Sequence, residues 1–174
     1  MVLERIFSLW ALARWLHLLA AITWIGGQLF ILIVLLPIMR GALPRDERVL
    51  LFARVGRRYG LVSWVALSVL IVTGVINGQR RGVNWAHLFQ AGSYGQILGA
   101  KLVLVAVVIV VTIVHAGYFG RRMTTLAERA RALASDDPAL AAERRRLQVI
   151  SGVLSGLNLL LNLVIVLLAA ALVA

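Results

Sequence analysis

The chain has no cysteine in its 174 residues, which removes disulfides, thiolate metal sites, iron–sulfur clusters and cysteine nucleophiles together. Charged side chains are scarce, at 14%, well below the roughly 25% of a soluble domain. Acidic residues are scarcer still: Glu4, Asp46, Glu47, Glu128, Asp136, Asp137 and Glu143 are the only seven. All lie outside the long apolar runs, which disfavours a transporter driven by an intramembrane carboxylate, paired-carboxylate hydrolysis and carboxylate-bridged metal centres. No phosphate-binding glycine loop, zinc-protease motif or nucleophile elbow is present.

What the chain has is hydrophobic length: 61% of its residues are apolar. Runs near 15–37, 59–79, 97–119 and 150–173 are each long enough to cross a hydrocarbon core of roughly 30 Å. They predict an all-α, single-domain integral membrane four-helix bundle over residues 1–174, running up, down, up and down. Arg14 and His17 interrupt the first run and no small-residue cleavage site follows, so it reads as a retained helix, not a signal peptide. Pro37 closes it. Pro44-Arg45-Asp46-Glu47 starts the next helix in water, with acids in the first turn where the helix dipole favours them. The third helix continues past Arg121, and Ser135-Asp136-Asp137-Pro138 turns the chain into the fourth. The last two helices are therefore expected to extend into the cytoplasm as a hairpin.

Orientation follows from the basic residues. Thirteen of the eighteen stand in the first and third connections and five (Arg5, Arg14, Arg80, Arg81, Lys101) on the other side. The positive-inside rule puts the larger group in the cytoplasm and both termini outside, in a bacterial-type inner (plasma) membrane. The net charge of +11 thus records topology and calls for no nucleic acid. Trp85, Leu88, Phe89 and Tyr94 suit an interfacial anchor on the outer side.

Polar residues within the runs recur at helical spacing. The stripes are His17, Trp24 and Gln28; Ser63, Thr73 and Asn77; Lys101, Thr112 and His115; and Ser151, Ser155, Asn158 and Asn162. Such faces must turn away from lipid. Hydroxyls and amides at these places ordinarily hydrogen-bond between helices, and Gly56/Gly60, Gly74/Gly78 and Gly152/Gly156 ordinarily mark close helix packing. A histidine inside a membrane is costly and points to function. At 1.5 Å per residue, His17 lies roughly 3 Å and His115 roughly 20 Å below the outer boundary. They are not expected to share one metal or clamp one porphyrin. His87, folded down from the outer connection, is the candidate partner of His17, with Asn77 and Arg14 nearby; Ser63, Ser155 and Asn158 are the expected neighbours of His115.

Leu16-His17-Leu18-Leu19 followed by Trp24-Ile25-Gly26-Gly27 and Leu36-Pro37 resembles the opening helix of the copper-resistance D (CopD) membrane family. The segment from Tyr94 to Leu102 resembles the start of that family's following helix. His17, Lys101 and Val114-His115 are also similar to the related HemJ-type protoporphyrinogen oxidases. The resemblance covers about 50 residues of the first and third helices. It implies a four-helix unit that binds haem or copper through histidines, with His17 the best ligand and His115 and Lys101 next. The fourth helix lacks the Asn-Glu-Val-Pro pattern of the HemJ-type enzymes, which counts against porphyrinogen oxidation itself.

Copper(I) prefers soft sulfur ligands, and the chain offers only Met1, Met39 and Met123. Haem iron needs one or two neutral imidazoles. The first expectation is therefore a b-type haem protein (haem b) serving electron transfer, with a partner at the membrane, or oxidation of a quinol or porphyrinogen. His17 is its axial ligand and His87 a second; His115 serves an inner haem or handles protons. Arg14 and Lys101 meet the propionates, and Trp24 and Asn158 line the cavity. A copper-handling permease and a structural or accessory subunit are the alternatives, and whether the chain is an enzyme, and its oligomeric state, stay open.

Overall fold

The computed structural model describes residues 8–42, 44–90, 92–119, 121–122, 125–126 and 138–172. The first span is one long helix in three pieces: α1 (Leu9–Phe30), a π-helical turn (Ile31–Leu35) and α2 (Leu36–Ala42). Ser8 caps its start, its Oγ accepting from the Ala11 N–H at 3.2 Å. The helix does not end at Pro37 as the sequence implies. A proline has no N–H to donate and its ring crowds the carbonyl four residues back. The π turn just ahead of Pro37, with the Leu36 N–H reaching the Ile31 carbonyl, takes up that conflict and lets the helix continue to Ala42.

After Pro44, α3 (Arg45–Arg80) runs unbroken, starting where the Pro-Arg-Asp-Glu sequence places a helix start. A 3-10 turn (Trp85–Gln90) leads into α4 (Gly92–Val114), which ends in a second π turn (His115–Phe119). α5 (Pro138–Ala171) opens on its proline, at the first helical position that proline favours. The Ser135-Asp136-Asp137 turn lies outside the described residues. Four segments are long and apolar enough to cross a membrane, Leu9–Ala42, Arg54–Arg80, Tyr94–Phe119 and Pro138–Ala171. The protein is a multi-pass membrane protein, an all-α four-helix bundle whose helices overrun the expected spans at most of their ends.

Packing is pairwise. α1 lies antiparallel on α3, from the Arg80 guanidinium over the Trp10 ring, through the His17–Thr73 contact, to the Tyr59 hydroxyl on the Trp24 carbonyl. α4 lies antiparallel on α5, and α1 also touches α5. The core is small and central: Ala20, Trp24, Ala66, Leu67 and Val108. Most other large apolar side chains are exposed, as they should be where the solvent is lipid.

Two glycines allow close approach. A Cβ on Gly27 would fall inside the Tyr59 ring, and one on Gly78 would meet the Trp85 ring at 2.5 Å. Gly74 faces His17, but Gly56, Gly60, Gly152 and Gly156 face open space. The expectation that those two pairs mark close packing is corrected: α3 and α5 present other faces to their neighbours.

Beyond the bundle core, Phe119, Leu126 and Leu147 form a second cluster with Leu140, Ile150 and Leu154. Arg122 donates to Glu143 beside it at 2.7 Å. These contacts hold described residues that follow α4 against the N-terminal half of α5; the expected hairpin tip over 127–137 lies outside the described residues. Arg81 donates to the Leu172 carbonyl at 3.2 Å and to the Tyr94 hydroxyl at 3.4 Å, and its neighbour Arg80 lies over Trp10, so the start of α1 and the end of α5 lie at one end of the bundle.

Candidate functional site

The polar stripes meet in three layers. In the first, His17 Nδ1 stands 2.8 Å from Thr73 Oγ1. The Thr73 hydroxyl hydrogen is committed to the Val69 carbonyl, so its oxygen accepts and Nδ1 carries the proton. Nε2 is then the unprotonated nitrogen, the form in which imidazole binds a metal. Gly74 keeps that side of the ring free of a side chain: a Cβ there would sit 3.6 Å from His17 Cε1. Lys101 is half-buried and within electrostatic reach of His17, and Arg81 is within reach of Lys101. Trp85 packs over Gly78 and Leu88 is buried, so the outer connection folds down over this end.

The middle layer is uncharged. Asn162 donates to Gln28 Oε1 at 3.3 Å and to Asn158 Oδ1 at 2.9 Å; Asn158 donates to Thr112 Oγ1 at 2.9 Å. Thr112 passes its own hydrogen to the Val108 carbonyl. Tyr59 brings the remaining helix in, beside Gln28 and Ser63. The ladder thus ties all four spans together across about one helical turn of depth. Two buried atoms next to it have no hydrogen-bond partner among the described residues, Trp24 Nε1 and Ser63 Oγ.

The third layer is His115 Nε2 with Ser151 Oγ at 3.3 Å, on the π turn and tilted against Phe119. From His17 to Gln28 the helix rises about 16 Å and from Thr112 to His115 about 4 Å. Between them, the turn of α5 from Asn162 to Asn158 adds about 6 Å, so the two histidines stand roughly 27 Å apart along the bundle, on opposite sides of the ladder.

Several sequence expectations find other partners. His115 meets Ser151, one turn from the expected Ser155, whose hydroxyl returns to the Ser151 carbonyl. Ser63 lies in the middle layer beside Tyr59 and not at His115. Asn158 is buried, but in the ladder. Trp24, 3% exposed, is core. Arg14 is exposed, with no hydrogen-bond or ion-pair partner among the described residues. His87 has its backbone in the 3-10 turn, while its side chain lies outside the described residues. Met39, 2% exposed, is packed core. Tyr59 is the residue the sequence reading missed; the only signal was its position one turn before Ser63. Among the described residues no three His, Cys, Asp or Glu side chains gather to hold a metal ion.

Fold and layers define a four-span membrane protein with a cationic, histidine-bearing end and a neutral middle. The chain belongs to the family described as "Domain of unknown function (DUF4149)", whose profile matches residues 19–132. It is 29% identical over 109 residues to an "Uncharacterized protein" of Aquifex aeolicus (strain VF5), a match covering 62% of this chain and 68% of that protein. No solved structure matches. The family match contains Trp24, Gln28, Tyr59, Thr73, Lys101 and His115; His17, Asn158 and Asn162 fall outside it.

Proposed function

We propose that the protein is a b-type haem protein of the bacterial-type plasma membrane, of the CopD or HemJ-like kind. Its ligand is His17 and its termini are extracytoplasmic. The single observation that carries this reading is the 2.8 Å contact of His17 Nδ1 with Thr73 Oγ1: with the Thr73 hydrogen on the Val69 carbonyl, Nδ1–H donates to Thr73 and Nε2 is the nitrogen left to coordinate. Metal-bound histidines are held in this way, with the second nitrogen donating to a neighbour that orients the ring and raises its basicity. Lys101 and Arg81 supply cations at the same end, suited to carboxylates such as haem propionates. The donor set fits haem better than copper, since haem iron accepts a single imidazole whereas copper(I) asks for sulfur ligands.

When bound, haem would supply one-electron chemistry, for electron transfer or for oxidation of a quinol or porphyrinogen. The chain's own part is to hold the ligand nitrogen unprotonated, place positive charge beside it and close the end with Trp85 and Leu88. Orientation rests on the thirteen basic residues of the first and third connections.

A second reading is favoured by the ladder. Gln28, Asn162, Asn158 and Thr112 satisfy one another, as in a bundle whose polar groups only fix helix register, and a structural or accessory subunit needs no more. Gentle extraction and an absorbance spectrum with metal analysis separate the readings. A Soret band that is lost in His17→Ala and weakened about tenfold or more in haem affinity in Thr73→Val, but kept in Thr73→Ser, supports the haem protein. A colourless protein with bound copper turns the reading to a copper-handling permease, and one with neither to the accessory subunit.

A further inference from the structure

Away from the histidines, a groove runs along the outside of the α1–α3 pair, with a volume of about 380 Å³. Its walls are Phe30, Ile31, Leu35, Val55 and Val62, and two arginines, Arg54 and Arg58, stand along it. The upper end closes where the Tyr59 ring lies on Gly27. Below that point the first span passes through its π turn, and Ile31 and Leu35 of the turn form one wall. π turns inside α-helices recur at functional sites.

We propose that this groove is a binding site for one anionic phospholipid, the phosphate held by Arg54 and Arg58 and an acyl chain laid along the groove towards Tyr59. Charge and shape argue for this occupant together. Arg54 and Arg58 are one turn apart on a single helix face, so both reach one ligand. Both are exposed, and neither has a hydrogen-bond or ion-pair partner among the described residues. From Arg54 to Val62 the helix rises about 12 Å; the surface of the groove itself is almost wholly apolar, and the charge belongs to the arginines of its Arg54–Arg58 end. An apolar groove with cations at one end matches a lipid that enters the bilayer from its headgroup. A soluble anion would have no use for the apolar walls, and a neutral lipid none for two unpaired guanidinium groups. Arginine suits the headgroup because its planar fork matches phosphate oxygens.

The test uses the full chain in nanodiscs of equimolar phosphatidylglycerol and phosphatidylcholine, released into the gas phase for native mass spectrometry. Wild type is expected to retain one phosphatidylglycerol in preference to phosphatidylcholine. Arg54→Gln with Arg58→Gln should lower that preference about tenfold, as expected for loss of a charge-assisted hydrogen bond. Arg145→Gln with Arg146→Gln removes the same charge elsewhere and should leave it unchanged. Val55→Trp, which fills the groove with both arginines in place, should release the lipid, and excess inorganic phosphate should not displace it. Equal retention of the two lipids, an equal loss in both arginine pairs, retention in Val55→Trp or displacement by phosphate would each overturn the proposal. Size-exclusion profiles and helical circular dichroism select the variants that are folded.

Discussion

Replacing Asn162 by leucine removes two hydrogen bonds while keeping nearly the same side-chain size, and the consequence depends on where those bonds go. One crosses to Gln28 on α1 at 3.3 Å; the other stays on α5, reaching Asn158 at 2.9 Å. Interhelical hydrogen bonds in membranes average about 0.6 kcal/mol and rarely exceed about 1.7. The Gln28 bond is long and joins neutral groups, so it belongs at the low end. The substitution also leaves Asn158 Oδ1 buried without its donor, which costs about 1 kcal/mol or more. Asn162→Leu alone should therefore destabilise by about 1–2 kcal/mol. A double-mutant cycle of Gln28→Leu with Asn162→Leu should give a coupling of about 0.5 kcal/mol, and one of Asn158→Leu with Thr112→Val about 1 kcal/mol, because that bond is shorter. Both can be read from reversible unfolding in mixed detergent micelles, followed by circular dichroism. Couplings indistinguishable from zero in both cycles would refute the ladder and mean that the amides face something other than each other.

Two further substitutions probe the packing. Gly27→Ala drives a methyl group into the Tyr59 ring, which the Trp24 carbonyl holds in place, and should cost about 1–3 kcal/mol; Gly26→Ala, facing open space, should change stability by less than about 0.5, and equal melting temperatures for the two would contradict the contact. Leu147→Ala opens the Phe119–Leu126–Leu147 cluster and should cost about 2–4 kcal/mol, with faster hydrogen exchange in the hairpin extension than in the spans. Glu143→Gln, which breaks only the exposed pair with Arg122, should leave that exchange unchanged.

The bundle and its inward stripes were legible because lipid makes the rule strict: a polar side chain at helical spacing has nowhere to turn but inward. His17, Gln28, Thr73, Thr112, Asn158 and Asn162 all obey it. Which stripe residues pair was less legible, since that depends on the axial offset of two helices, and an offset of one turn moved the partner of His115 from Ser155 to Ser151. Tyr59 went unread because it stood at the expected edge of its span, where a tyrosine reads as an interfacial residue. With the spanning helix beginning at Arg54, it sits inside the bundle. The glycine pairs misled for a related reason. Four-residue spacing shows that a face is smooth, but not that a neighbouring helix lies on it.

The order of the layers sets the two histidines apart. Between His17 and His115, roughly 27 Å along the axis, the described interior contacts are made by amides, hydroxyls and apolar groups, with Tyr59 the titratable side chain among them. The Tyr59 hydroxyl donates to the Trp24 carbonyl, so its proton is engaged; the ladder crosses from Gln28 to Asn162, steps one turn along α5 to Asn158 and crosses again to Thr112. The two histidines therefore stand at separate ends of the bundle, His17 with Thr73 near Lys101 and His115 beside Ser151 on its π turn. The neutral middle keeps the helices in register without placing a charge at the depth where lipid penalises it most.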